Sequence, residues 1–142
     1  MKDIKILLTY KDDNGNYQIE SVWATKEGNY YRINNIPFLA PNIALNDLVS
    51  AEEDDDALYF NKLIMSSGHS TVQIIFLLDD SEIRETVEKD LLEMGCSWEE
   101  SHRKDLISVD IPPMVSYSVI KKYLDKGESK NLWSYKEACL SH

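Results

Sequence analysis

TVQIIFLLDDSEIRETVEKDLLEMG, residues 71–95, is where the chain changes character. It opens as an apolar run, Thr71 to Leu78, of strand length and rich in β-branched residues. The period then shifts. Ile83, Val87, Leu91 and Met94 recur at helical spacing, with Glu85, Glu88, Lys89 and Glu93 on the opposite face. Asp79 or Ser81 can cap the helix start, and Asp79 has Glu82 three residues on, the capping-box spacing. Gly95 suits the left-handed position that follows a helix end.

Working outward toward the C-terminus, Cys96–Ser101 and Leu106–Ile111 read as a hairpin that Pro112-Pro113 stops. Ser116 can cap a second helix, with Val119, Ile120, Tyr123 and Leu124 inward and Gly127 at its end. Residues 132–140 read as a short helix packed on the body. The order from Thr71 is therefore β-α-β-β-α, most of a ferredoxin-like split βαβ unit.

Toward the N-terminus the pattern is all strand. Ile4–Tyr10 and Tyr17–Thr25 flank Asn14-Gly15, a strong hairpin turn. On the second strand Ile19, Ser21, Trp23 and Thr25 face one way, and Gln18, Glu20, Val22 and Ala24 the other. Tyr30–Ile33, Leu48–Ala51 and Leu58–Met65 follow, with the acidic run Glu52-Glu53-Asp54-Asp55-Asp56 as an exposed turn between the last two. Turns this frequent predict a meander curled into a small barrel. The expected fold is α+β: an antiparallel β-meander or small barrel joined to a ferredoxin-like βαββα half with two or three helices. Residues 1–142 form one domain, with a β-rich lobe over about 1–70 and an α/β lobe over about 71–142. The strand from Thr71 to Leu78 is expected to belong to both sheets.

The net charge is −10 over 142 residues, and each half carries −5: 11 Asp+Glu against 6 Lys+Arg up to residue 71, then 14 against 9. Both halves repel a phosphate backbone at long range, which argues against nucleic acid as a partner. No apolar run approaches membrane-spanning length, and Met1-Lys2-Asp3-Ile4-Lys5 begins no secretion signal, so a cytoplasmic location is expected. Cys96 and Cys139 read as reduced, buried thiols.

No set of residues has the spacing of a catalytic or metal site. Ser66–Thr71 is the densest stretch, yet His69 and Ser70 are neighbours at a strand end and point to opposite faces. The acidic run has neither the alternation nor the glycine of a calcium loop. His69, His102 and His142 are far apart and pair with no zinc pattern. Glu99-Glu100, with Asp110 across the second hairpin, read as a solvated strand surface. P-loop and dinucleotide fingerprints are missing. No catalytic residue, metal or cofactor is expected.

Four segments, Glu20-Ser21-Val22-Trp23-Ala24, Tyr31–Phe38, Asn46-Asp47-Leu48-Val49 and Ser67-Gly68-His69-Ser70-Thr71-Val72, together resemble a family of small bacterial proteins known only as a domain of unknown function. The resemblance continues through Leu106–Pro112 and Trp133-Ser134-Tyr135. Asn46 stands where that pattern leads one to expect glycine, and Gln73 where it leads one to expect arginine. The resemblance transfers no catalytic residues. What the resemblance further implies is an association with secreted bacterial toxins.

These observations lead first to a binding protein: an immunity protein that occludes a cognate toxin, a basic nuclease being the type that fits the charge. Glu52, Glu53, Asp54, Asp55 and Asp56 are the expected contact residues, with Glu99 and Glu100 behind them. The alternative is an enzyme or small-ligand protein with its site near Glu20, Trp23, Asp47, Ser67, His69 and Ser70. A regulatory module binding one cellular protein is a third reading.

Overall fold

The computed structural model describes residues 3–142, so the reading of the N-terminus lies partly outside the described residues. The architecture is mixed α+β, with two helices and two sheets of five and four strands.

β1 (Ile4–Lys11), β2 (Tyr17–Glu27), β3 (Tyr30–Ile33), β4 (Leu48–Asp54) and β5 (Ala57–Met65) form a meander that closes into a barrel. Four successive antiparallel pairings leave β5 running the same way as β1. The closing pair, Ile6 with Leu58 and Leu7 with Tyr59, is accordingly parallel. The alternation expected for β2 is present: Val22 and Ala24 are buried in the barrel, while Ile19 and Trp23 are exposed. Ile6, Leu8, Ile33 and Val49 complete that core, joined by Ala40 and Ile43 from the β3–β4 connection.

The acidic run corrects one expectation. Glu52–Asp54 continue β4, and only Asp55-Asp56 make the turn. Both have positive φ, 53° and 64°, as the mirror-image turn of a two-residue hairpin requires. Asp is among the few side chains that tolerate this conformation.

β6 (Ser70–Phe76), α1 (Ser81–Glu93), β7 (Ser97–Glu100), β8 (Leu106–Ile111), α2 (Tyr117–Ser129) and β9 (Trp133–Cys139) follow, and the second sheet has the order β7-β8-β6-β9, antiparallel throughout. β6 pairs only with β8 and β9, so it is not shared between the sheets. The segment expected as a last helix is β9, hydrogen-bonded along β6 from Phe76–Trp133 to Thr71–Cys139. An available edge on a buried central strand outweighs the weak helical spacing of those residues.

The helix ends are also informative. Asp80, rather than Asp79 or Ser81, caps α1, accepting from the Glu82 and Ile83 amides. Its other end is a Schellman turn: Cys96 N–H donates to Leu91 O and Gly95 N–H to Leu92 O, with Gly95 at φ 92°. Gly127 does not end α2. Asn131, at φ 60°, takes that role through the same pair of bonds. Gly127 instead lies against Trp133, where a Cβ would sit 1.9 Å from the indole Cζ2.

Val72, Ile74, Phe76, Ile107, Val109 and Ile111 face the helices and pack with Val87, Leu91, Ile120 and Leu124. The alternate positions, Thr71, Gln73, Ser108 and Asp110, are polar and equally buried. That second face leads to the site.

Candidate functional site

The β3–β4 connection, residues 34–47, is long and runs between barrel and second sheet, with Ile36, Pro37, Ala40, Ile43, Ala44 and Asp47 buried. A buried loop must find partners for its own amides and carbonyls. Here side chains from both sheets supply them. Glu20 at the barrel end accepts three amides, from Phe38 at 2.5 Å, Leu39 at 3.0 Å and Ala40 at 2.8 Å. Gln73 Nε2 donates to Phe38 O at 2.6 Å, and Ser108 Oγ to Pro37 O at 2.6 Å. Asn35 Oδ1 accepts the Trp23 amide, and Asn42 N–H donates to Ala138 O. The polar face of the second sheet therefore serves as a docking surface for this loop.

Asp47 closes the arrangement. It is 1% exposed, and its carboxylate accepts the Ala44 amide at 2.9 Å and the Ser67 amide at 2.8 Å. Ser67 Oγ donates to Leu45 O at 2.7 Å and accepts the His69 amide. One carboxylate thus ties the loop to the link between the two sheets. Asn46 sits at φ 68°, a conformation suited to glycine and tolerated by Asn, and Gln73 is a donor to the loop.

Of the six residues in the alternative ligand site, Glu20, Asp47 and Ser67 have their oxygens bonded to backbone groups. Trp23 turns its ring outward beneath Lys5, whose Nζ lies 5.6 Å from the ring centroid. His69 and Ser70 diverge. His69 Nδ1 lies 2.8 Å from Oδ1 of Asp110, which is buried. Burial pushes the Asp110 carboxyl above the ordinary carboxylate range, and the hydrogen bond from His69 works against that shift. Ser70 accepts the Ser141 amide at 2.9 Å and lies 2.6 Å from His142 Nδ1, while His142 Nε2 donates to Pro112 O at 2.8 Å. The carbonyl can only accept, so Nε2 carries a proton. His69–Asp110 and Ser70–His142 were not legible beforehand, because their members lie 41 and 72 residues apart.

Glu52, Glu53, Asp54, Asp55 and Asp56 are all exposed, and none joins an ion pair among the described residues. Glu99 and Glu100 point to opposite faces. Glu100 meets Arg84 of α1 at 3.6 Å. Glu99 turns toward the buried loop, where burial raises its pKa, the Ile36 amide opposes the shift and Glu20 adds to it. Among the described residues no group of three or more His, Cys, Asp and Glu is placed to hold a metal ion. No helix among them is long and apolar enough to cross a membrane.

No curated protein matches the chain. It is similar over 99% of its length to a hypothetical protein from Neisseria gonorrhoeae of known crystal structure, with 30% identity, a TM-score of 0.86 and 96% of that chain covered. A family model matches residues 20–135, which span the loop-tethering side chains from Glu20 to Ser108. The chain therefore belongs to the family described as domain of unknown function DUF4265.

Proposed function

We propose that this protein is an acidic binding module, and specifically an immunity protein that neutralises a basic toxin in the cytoplasm by occlusion. The observation that carries this reading is the β4–β5 hairpin tip. Five adjacent carboxylates stand exposed, three at the end of β4 and two on the tight turn that follows, and have no cationic neighbour paired with them among the described residues. An unneutralised patch of this density steers a basic partner at long range and can take the place of phosphates on its surface. Tyr17, Ile19 and Trp23, exposed on the outer face of β2, supply apolar anchors of the type found at interface centres. β1 alone separates that strand from β5.

The finer architectural reading belongs with this proposal. We take the C-terminal half as ferredoxin-like, on the support of its β-α-β-β-α-β order and its β9-β6-β8-β7 neighbours. The test of function is co-expression and pull-down with the basic product of a neighbouring gene. The expected result is a complex whose association slows about tenfold or more, and whose dissociation quickens, when the five tip carboxylates become amides. Asp55→Asn and Asp56→Asn keep residues that accept positive φ, so the turn survives. Absence of binding and of protection, with both proteins folded, overturns the proposal.

A further inference from the structure

A groove of about 430 Å³ runs between α1 and α2, on the side of the second sheet away from the loop-binding face. Its apolar lining comes from Ile83, Val87, Tyr123, Leu132 and Trp133. Tyr123 and Trp133 stack with ring centroids 5.7 Å apart and planes 13° from parallel. Their polar atoms are already engaged: the Trp133 indole donates to Leu124 O at 3.0 Å, and the Tyr123 hydroxyl donates to Asp90 at 2.7 Å. Gly127 makes the aromatic surface possible. Any side chain there would occupy the space the indole fills, and a mid-helix glycine is otherwise unfavourable.

The walls carry opposite charge. Lys126 of α2 and Lys130 at its C-cap line one side, and Asp80, the N-cap of α1, and Glu82 line the other; Asp90, which accepts from Tyr123, lines the groove as well. Among the described residues none of these five joins an ion pair.

We propose that this groove binds a small zwitterion with a flat apolar body, of the chemistry of a free aromatic α-amino acid. The ring lies on the apolar lining near Tyr123 and Trp133, the carboxylate meets Lys126 and Lys130, and the ammonium meets the acidic wall. Volume, an apolar lining with a few convergent polar groups, and charges of both signs are what such a ligand requires. A simple anion or cation would satisfy one wall and be repelled by the other.

The test titrates the full chain, methyl-labelled for NMR, with phenylalanine, with phenylalaninamide, which lacks the carboxylate, and with N-acetylphenylalanine, which lacks the ammonium. The expected result is saturable shifts of the Ile83, Val87 and Leu132 methyl groups at roughly millimolar phenylalanine. Phenylalanine should bind at least about tenfold more tightly than either blocked analogue. Lys126→Gln with Lys130→Gln, both exposed and so harmless to folding, should reduce phenylalanine binding to about the level of the amide. Undisturbed methyl groups at about 10 mM phenylalanine, or equal affinity for all three compounds, overturn the proposal.

Discussion

Replacing Glu20 by Ala removes the acceptor for three loop amides at once, and the cost can be worked from their surroundings. Leu39 is exposed, so its amide regains a water partner cheaply. Phe38 is half-buried and Ala40 is buried, so their amides do not. A hydrogen bond to a charged group contributes about 1.5–3 kcal/mol, and a buried donor left without a partner costs a similar amount. Two such losses, lessened by water entering beside Phe38, give about 3 kcal/mol. That is a large share of the roughly 5–15 kcal/mol typical of a whole domain, yet the fold should survive it. At this chain length it corresponds to a fall in Tm of about 9 °C. Glu20→Gln keeps one acceptor but turns an amide donor toward other donors, and it should lose about half as much. Urea unfolding followed by tryptophan fluorescence measures the change as a lower midpoint at unchanged slope. Hydrogen exchange at Ala40 reads the same bond locally. A loss for Glu20→Ala below about 1 kcal/mol, with Ala40 still protected, would show that Glu20 does not hold the loop in solution.

Two other perturbations test the buried groups. Burial raises the Glu99 pKa, so the folded state holds that proton more tightly than the unfolded chain. Ionising Glu99 therefore costs stability as pH rises from the ordinary carboxylate range through the raised value. Glu99→Gln should be more stable than the parent at about pH 7 and indistinguishable from it at about pH 4; the opposite order in urea midpoints would contradict the placement. Burial also pushes the Cys96 thiol up to about 11 and raises that of Cys139, so a thiol reagent at about pH 8 should label neither until urea unfolds the chain.

Local physics was legible where a residue's role depends on its neighbours in sequence. The change of period after Leu78 marked the strand-to-helix passage, and Gly95 marked the helix end. Alternation in β2 separated Val22 and Ala24 from Ile19 and Trp23. The meander of the first half implied a curled sheet, since short strands joined by tight turns have few other ways to bury one face. Errors arose where tertiary contact overrode local preference. Residues 133–139 carry no decisive pattern and became a strand because the edge of β6 was open to them. Gly127 has the composition of a helix end and the position of a packing contact. The acidic run looked like a loop because consecutive carboxylates cannot be buried, yet a strand with both faces in water satisfies the same condition.

The composition and order of this sequence determine an acidic α+β chain with strands first and helices later, and they place five carboxylates together in water. Tertiary structure decides which distant groups meet. Glu20, Asp47, Ser67 and Gln73 are scattered along the chain and have no mutual spacing to read. They converge because the buried stretches of the connection over residues 34–47 need partners for their backbone, and those partners must come from wherever the two sheets bring them. Periodicity records which face a side chain takes; only the folded chain determines which distant amide it meets.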